Sequence, residues 1–458
     1  MDYNVPGTPI NALRALTPEQ IQSAAARTAG NPIARIARNA AGKTDIRSVA
    51  LNRDRVQAVS HAYSHVVKSG KTTSQFASGR CWLFAGLNLF RMSAAERLGL
   101  EDFELSQTYL MFYDKLEKSN LFLEQIIDNP QLEVSSRLLD WLCAAPLNDG
   151  GQWDMFTNLI DKYGVVPKRI MPETFSSSNS VVMNQHITQK LRREAQMLRS
   201  KMQIGESADA IKAYKDAVMD DIYQMLTIHL GVPPTLFEWK WVNKEHKFHT
   251  DGEITPQQFR DKYCPIDLHD KACLIHCPQA SKQIPAHYTV GFLGNVAGGR
   301  EISYLNLPIE TLKDAAVQMI LDGKPVWFGC DVGKHLDREL GVLDLNLFDT
   351  ELLYGTELLQ EKAARLDYGQ SLMTHAMVLV GVDLSADGKP KQWRVENSWG
   401  EAVGEVGYLT MTDAWFDQYV YEVAIDKHYI SKDVLDLLDT PATVLDPWDP
   451  MGSLAIAE

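Results

Sequence analysis

Residues 75–91 read Gln75-Phe76-Ala77-Ser78-Gly79-Arg80-Cys81-Trp82-Leu83-Phe84-Ala85-Gly86-Leu87-Asn88-Leu89-Phe90-Arg91. Ser78-Gly79 is turn chemistry. After it, Leu83, Phe84, Leu87, Phe90, Ala94 and Leu98 recur at helical steps, and Gly99 stops the run. The pattern predicts a helix that begins at or just before Cys81 and buries one broad face. A thiol at a helix start sits at the positive end of the macrodipole, which favours the nucleophilic thiolate. Gln75, across the turn, can aim a side-chain N–H into the space faced by the Cys81 backbone N–H. Two such donors form an oxyanion hole for acyl transfer.

A thiol nucleophile needs a base. Of the 12 histidines, His375 alone heads an apolar strand, Ala376-Met377-Val378-Leu379-Val380, that is followed by a second strand ending in Asn397-Ser398-Trp399-Gly400. An Asn oxygen can accept from one imidazole nitrogen and fix the ring, leaving the other nitrogen for the thiol. Trp399 can shield that bond from water. A cysteine at a helix start, or a histidine at a strand head, is structural more often than catalytic. Gln75, Cys81, His375 and Asn397, each in the required local setting, together point to covalent acyl transfer.

The remaining sequence sets the frame. The chain has 458 residues, 45% of them apolar and 23% charged, the profile of a soluble globular protein with room for about three domains or one domain with large insertions. The longest near-continuous apolar run, Ala376 to Val382, is far short of the ~20 residues of a membrane span. The first residues have neither the basic start nor the apolar core of a secretory signal. Cytoplasmic location and no membrane partner are the expectations. The net charge of −14 disfavours nucleic acid. The basic cluster Lys190, Arg192, Arg193, Arg199 and Lys201 reads as a solvated helix face. Six cysteines at low density read as thiols in a reducing compartment. Cys264, Cys273, His276 and Cys277 match no standard zinc spacing, so no metal site is expected.

Helices are expected from Thr17 to about Thr28, from Ser106 through about Ile127, over Asp154–Lys162 and over most of 185–230. Residues 231–300 are mixed. Strand signals dominate from Ser303 onward, at Pro325–Cys330, His375–Asp383, Gln392–Glu396 and Val406–Thr410. Pro441, Pro447 and Pro450 forbid helix in the tail. Helices first and strands later is an α+β layout.

Gln75, Cys81-Trp82, His375 and Asn397-Ser398-Trp399-Gly400 resemble the papain-like cysteine peptidases. The Gly150-Gly151 pair fits, since that family uses such a pair to bind substrate backbone. Two departures narrow the resemblance. Ser78 stands where secreted members carry a disulfide-bonded cysteine. His375 lies 294 residues after Cys81, against about 130–150 in papain and the cathepsins. Both features resemble the bleomycin hydrolase and bacterial aminopeptidase C branch. So do Asn148-Asp149-Gly150-Gly151-Gln152-Trp153-Asp154-Met155, Tyr163-Gly164-Val165-Val166-Pro167-Lys168 and Trp448-Asp449-Pro450-Met451-Gly452-Ser453-Leu454-Ala455.

That resemblance implies a two-lobed α+β fold. An N-terminal helical segment (1–70) precedes a helical lobe with Cys81 (71–180). An inserted helical and arm region (181–300), a β-barrel lobe with His375 and Asn397 (301–440) and an extended tail into the cleft (441–458) follow. It implies a cytosolic cysteine aminopeptidase of broad specificity with catalytic Gln75, Cys81, His375 and Asn397 and substrate-binding Gly150 and Gly151. No cofactor is implied. The partners implied are peptides with a free N-terminus and further copies of the chain in a homohexamer. The tail's carboxylate would receive the substrate's α-amino group, and Ile456-Ala457-Glu458, beyond the expected end, would be trimmed by the enzyme's own thiol. Two rival readings are a papain-fold acyltransferase, which typically places Asp rather than Asn third, and a nucleic-acid-binding cage, which the charge and the complete quartet oppose.

Overall fold

A computed structural model describes residues 10–454. Two compact units emerge, one formed by the chain up to Ala58 together with Asn346–Leu359, the other by Val59–Leu345 and Gln360 onward. In the smaller unit, Thr17 and Gln20 form a reciprocal cap on the helix Pro18–Ala29. The Asn31 side chain caps Pro32–Ala41. The distant segment joins through Asn52, whose Nδ2 donates to Asp349 Oδ1 at 3.1 Å, and through Asp349 N, which donates to Ala50 O at 2.7 Å. The larger unit takes up the chain ahead of residue 70, because His65–Val66 pairs with Val382 and Gly381.

The larger unit is α+β. A twelve-stranded sheet has at its centre Lys271–Ile275, Val420–Asp426, Val326–Cys330, His375–Leu384, Pro390–Glu396 and Tyr408–Thr412, in that lateral order. Its central strands Lys271–Ile275 and Val326–Cys330 are buried along their whole length. Along His375–Leu384, Ala376, Val378 and Val380 join the core that contains the Cys81 helix. Met377, Leu379 and Val382 join a second core with the helix Ile309–Leu321. A strand covered on both sides reads as a continuous apolar run rather than an alternation.

The helix expected from Cys81 spans Cys81–Leu98, and Gly99 ends it with φ 64°, the left-handed cap that glycine adopts without strain. Its burial differs from the single face expected. Every residue from Cys81 to Arg91 is buried, because the helix is enclosed by sheet and helices. Ser106 caps Gln107–Asp128 by accepting from Tyr109 N. Val181–Gln203 and Ala208–Leu230 pack on that helix and on each other.

Four local expectations are corrected. The strand placed at 406–410 runs Tyr408–Thr412, because Val406 and Gly407 take positive φ in a turn. Lys271–Ile275 and Ala286–Val290, within the region 181–300, belong to the large sheet. Ile309–Leu321 is a helix in a stretch that otherwise reads as strand. The tail forms a short strand, Thr443–Leu445, paired with Ala286–Val290, and a 3-10 turn at Pro450–Gly452. Proline at the first position of such a turn forfeits no hydrogen bond.

Glu422, on a central strand, is buried with Oε1 unpartnered among the described residues. Burial raises its pKa to about 8. The folded state therefore holds the proton more tightly than the unfolded chain, whose carboxyl titrates near 4.5. Stability is greatest below that value and falls as pH rises through about 8. Glu422→Gln removes the penalty. Thermal melting should show the variant more stable than wild type at pH 9, by roughly 4 kcal/mol, and indistinguishable at pH 4.5.

Candidate active site

Cys81 is the first helical residue. Arg80, at the cap, makes no side-chain cap bond. Its guanidinium grips Glu173 in two parallel bonds of 3.1 and 2.9 Å, and its Nε donates to Ser78 Oγ at 2.9 Å. The turn is thus held from the side, and the N–H groups of Cys81 and Trp82 act on the thiol itself.

Gln75 is buried in that turn. Its Nε2 donates to Ser78 O at 2.6 Å, and its Oε1 accepts from Ser398 Oγ at 2.6 Å. The Gln75 N–H also donates to Ser398 O at 2.8 Å. Both ends of the amide are fixed, and of its two N–H donors one is used by Ser78. Phe76, next in the loop, is held at φ 53°, a strained value for a bulky side chain.

His375 and Asn397 meet as expected. His375 Nε2 donates to Asn397 Oδ1 at 2.8 Å, and the same oxygen accepts from Ser398 N at 2.7 Å. With Nε2 protonated, the lone pair is on Nδ1, which has no hydrogen-bond partner among the described residues. The next residue, Ala376, points its N–H at Cys81 Sγ at 3.4 Å, which sets strand head and thiol side by side. The Trp399 ring covers the imidazole at 5.0 Å between centroids. Two turns into the Cys81 helix, Arg91 Nη2 and Asn88 Nδ2 donate to Glu396 Oε1 at 2.5 and 2.8 Å. Glu396 immediately precedes Asn397, so helix and strand are bolted together at the site.

Burial dominates the electrostatics of both Cys81 and His375. It pushes the Cys81 thiol up to about 12, against the three backbone N–H groups that face it. It pushes His375 down to about 4, against the Asn397 bond. Desolvation therefore acts on Cys81 and His375 in the sense opposite to the helix start, which by itself favours the thiolate.

Gly151 lies against the same helix, and Gly150 meets the helix Gln107–Asp128. A Cβ on Gly151 would stand 2.4 Å from the Trp82 ring, so packing alone requires glycine there. Trp82 Nε1 donates to Asp149 O at 2.6 Å, and Lys118 Nζ donates to Gly150 O at 2.5 Å. Asp149 links this loop to the nucleophile turn. Its carboxylate accepts from Gly79 N at 3.0 Å, Asn184 Nδ2 at 2.7 Å and Ser180 Oγ, and pairs with Lys115 at 2.5 Å. Burial favours its neutral form, but Lys115 and these donors win and hold the acid well below the usual range. The tail lies beside the loop. Ser453 O accepts from Gln152 Nε2 at 2.5 Å, and Ser453 Oγ donates to Met373 O at 2.9 Å. Ile456-Ala457-Glu458 lie outside the described residues.

Ser398, Asp149 and Lys118 escaped sequence reasoning as working parts. Ser398 and Asp149 adjoin residues that were singled out, but nothing local shows that they bridge to Gln75 and Gly79. The basic cluster is committed within the fold: Lys190 pairs with Asp221 and Glu194, Arg193 with Glu194, and Lys201 with Glu206. Arg192 donates to Cys143 O and Ala144 O, and Arg199 to Leu132 O. Among the described residues no group of three or more His, Cys, Asp or Glu side chains is arranged to hold a metal, and no helix is long and apolar enough to cross a membrane.

The Peptidase C1-like family model matches residues 15–452. Aminopeptidase C of Listeria monocytogenes is 42% identical over 441 residues, covering 96% of this chain and 99% of its own. Bleomycin hydrolase of Rattus norvegicus is 41% identical over 449 residues, covering 96% and 99%. The crystal structure of PepW from Lactobacillus rhamnosis HN001 superposes with a TM-score of 0.94 at 44% identity, again over 96% and 99% of the two chains.

Proposed function

The chain belongs to the Peptidase C1-like family and is a cysteine aminopeptidase, and on that premise we propose that Cys81, His375, Asn397 and Gln75 divide the hydrolysis among them. The observation that carries this assignment is the contact of His375 Nε2 with Asn397 Oδ1 at 2.8 Å beside the Ala376 N–H on Cys81 Sγ at 3.4 Å. Sγ attacks the scissile carbonyl carbon as its proton passes to His375 Nδ1. The oxyanion takes hydrogen bonds from the Cys81 N–H and the remaining Gln75 Nε2–H. Collapse expels the amine, which collects the proton from Nδ1 and leaves a thioester on Cys81. Water attacks the thioester, giving its proton to Nδ1, and the thiol returns as the carboxylic acid departs. Asn397 keeps the ring oriented throughout.

The finer parts of the reading follow the same logic. The helices around Cys81 form one lobe of a papain-like fold and the sheet around His375 and Asn397 the other, with substrate between them. Gly150 and Gly151 bind substrate backbone. The tail held at Ser453 blocks the acyl side beyond one residue, which makes a free N-terminus the preferred end. The chain works in the cytoplasm as a homohexamer. The internal commitments of the basic cluster speak against a nucleic-acid cage.

Aminoacyl-coumarin amides with a free amino group should be hydrolysed, their N-acetyl counterparts should not, and iodoacetamide should abolish turnover. Deleting residues from Ser453 onward should let N-acetyl substrates be cleaved. Wild-type hydrolysis of blocked and free substrates at equal rates would overturn the aminopeptidase reading. An unchanged preference after deletion would overturn the role of the tail.

A further inference from the structure

A groove of about 1030 Å³ has Gln75, Asn184, Arg338 and Trp399 in its wall, and its lining includes no residue of the tail among the described residues. The tail at Ser453 lies with Gln152 and Met373. With the tail assigned to the acyl side, this groove beside Gln75 and Trp399 is assigned to the part of the substrate that leaves as amine. This assignment rests on the peptidase reading above.

Arg338 is the uncommitted charge in this wall. Among the described residues its guanidinium has no ion pair and no hydrogen bond. It stands over the Trp399 ring, 4.4 Å from the centroid. Arg192 and Asp149 also line the groove. Arg192 donates to two backbone carbonyls, and Asp149 is engaged by Lys115 and three hydrogen-bond donors. In a chain of net charge −14, the leaving-group side thus presents one open cation and no open anion.

The placement of Arg338 is built rather than incidental. Asp337 Oδ1 accepts from Glu339 N and Leu340 N, both at 3.0 Å, and closes the turn around Arg338. The Arg338 carbonyl accepts from Gly404 N at 3.1 Å. The turn joins two short paired strands, Leu336–Asp337 and Val342–Leu343. Since Trp399 itself lies over the His375 ring, the guanidinium is one ring away from the catalytic imidazole. Its charge helps to hold His375 low.

We propose that Arg338 is a specificity residue that binds a carboxylate carried by the residue immediately after the scissile bond. A guanidinium fork pairs with a carboxylate through two parallel hydrogen bonds, and stacking on an aromatic ring holds the fork in place. Two sources supply that carboxylate. One is the C-terminus of a dipeptide. The other is an acidic side chain at the same position of a longer peptide.

The test compares kcat/KM for a dipeptide with its C-terminal amide, and for an Xaa-Asp-amide with its Xaa-Asn-amide, Xaa being the residue best cleaved from aminoacyl-coumarin. Wild type should favour the carboxylate member of at least one pair by about 10-fold, the scale of a charge-assisted bond. That preference should shrink in about 0.5 M salt. Arg338→Gln should bring the ratio close to one, and Arg338→Lys should restore part of it. Collapse in the dipeptide pair alone identifies the C-terminal carboxylate as ligand. Collapse in the Asp pair alone identifies the side chain. Equal losses on both members of each pair, or no wild-type preference in either, overturn the proposal. Failure of wild type to hydrolyse aminoacyl-coumarin at all strikes the peptidase reading itself, a result separate from any Arg338 ratio.

Discussion

Cys81→Ala abolishes peptide hydrolysis while leaving the melting temperature close to wild type. Loss of the nucleophile from a covalent mechanism removes about 10⁵-fold or more in kcat. The fold should survive, because the buried side chains of Trp82, Leu83 and Phe84 keep the helix start packed. Cys81→Ser is not a mild change. A hydroxyl gives up its proton far less readily than a thiol, and His375, pushed down to about 4, is a weak base for it. Serine should therefore be nearly as inactive as alanine. Turnover of aminoacyl-coumarin, measured beside circular dichroism of both variants, checks the expectation. A Cys81→Ala variant retaining a tenth of wild-type kcat would remove Cys81 from the mechanism.

Gln75→Ala has the next largest effect, a fall in kcat of about 10²- to 10³-fold with KM little changed. That is the usual result of deleting one oxyanion donor, which acts in the transition state and not on the bound ground state. Structural damage alone would have a different signature. Gln75 is buried between Ser78 O and Ser398 Oγ, so truncation strands both partners and lowers stability as well. Ser398→Ala separates the two effects. It removes the group that orients the Gln75 carbonyl but leaves the Nε2 donor in place, and should lower kcat by about 10-fold or less. If Gln75→Ala and Ser398→Ala lowered kcat equally, Gln75 would be a support for the loop and not a donor to the oxyanion.

Local rules carried the reading wherever a few neighbouring residues decide the outcome. Ser78-Gly79 and Gly99 bound the Cys81 helix where turn and cap chemistry places them. Thr17-Pro18 and Ser106 start their helices through side-chain caps. The apolar run after His375 forms the strand it predicts. Gln75, Cys81, His375 and Asn397 could be chosen because each one's role depends on where it stands in a turn, at a helix start, at a strand head or at a strand end.

The features that escaped depend on residues far apart in the chain. Lys271–Ile275 is a sheet strand because Val420–Asp426 pairs with it. The Cys81 helix is buried all round because sheet and helices close over it, which its own periodicity does not record. Asp149 and Ser398 work through Gly79 and Gln75, 70 and 323 residues away. The charge state of the nucleophile is the clearest case. The helix start by itself favours thiolate, but the surrounding fold removes water from Cys81 and His375, which opposes charge on both. The amino-acid sequence determined which residues could do the chemistry. The tertiary structure decided their desolvation, their orientation and the open cation of Arg338, because desolvation and long-range contacts are sums over the whole surroundings of a group and not over its neighbours in the chain.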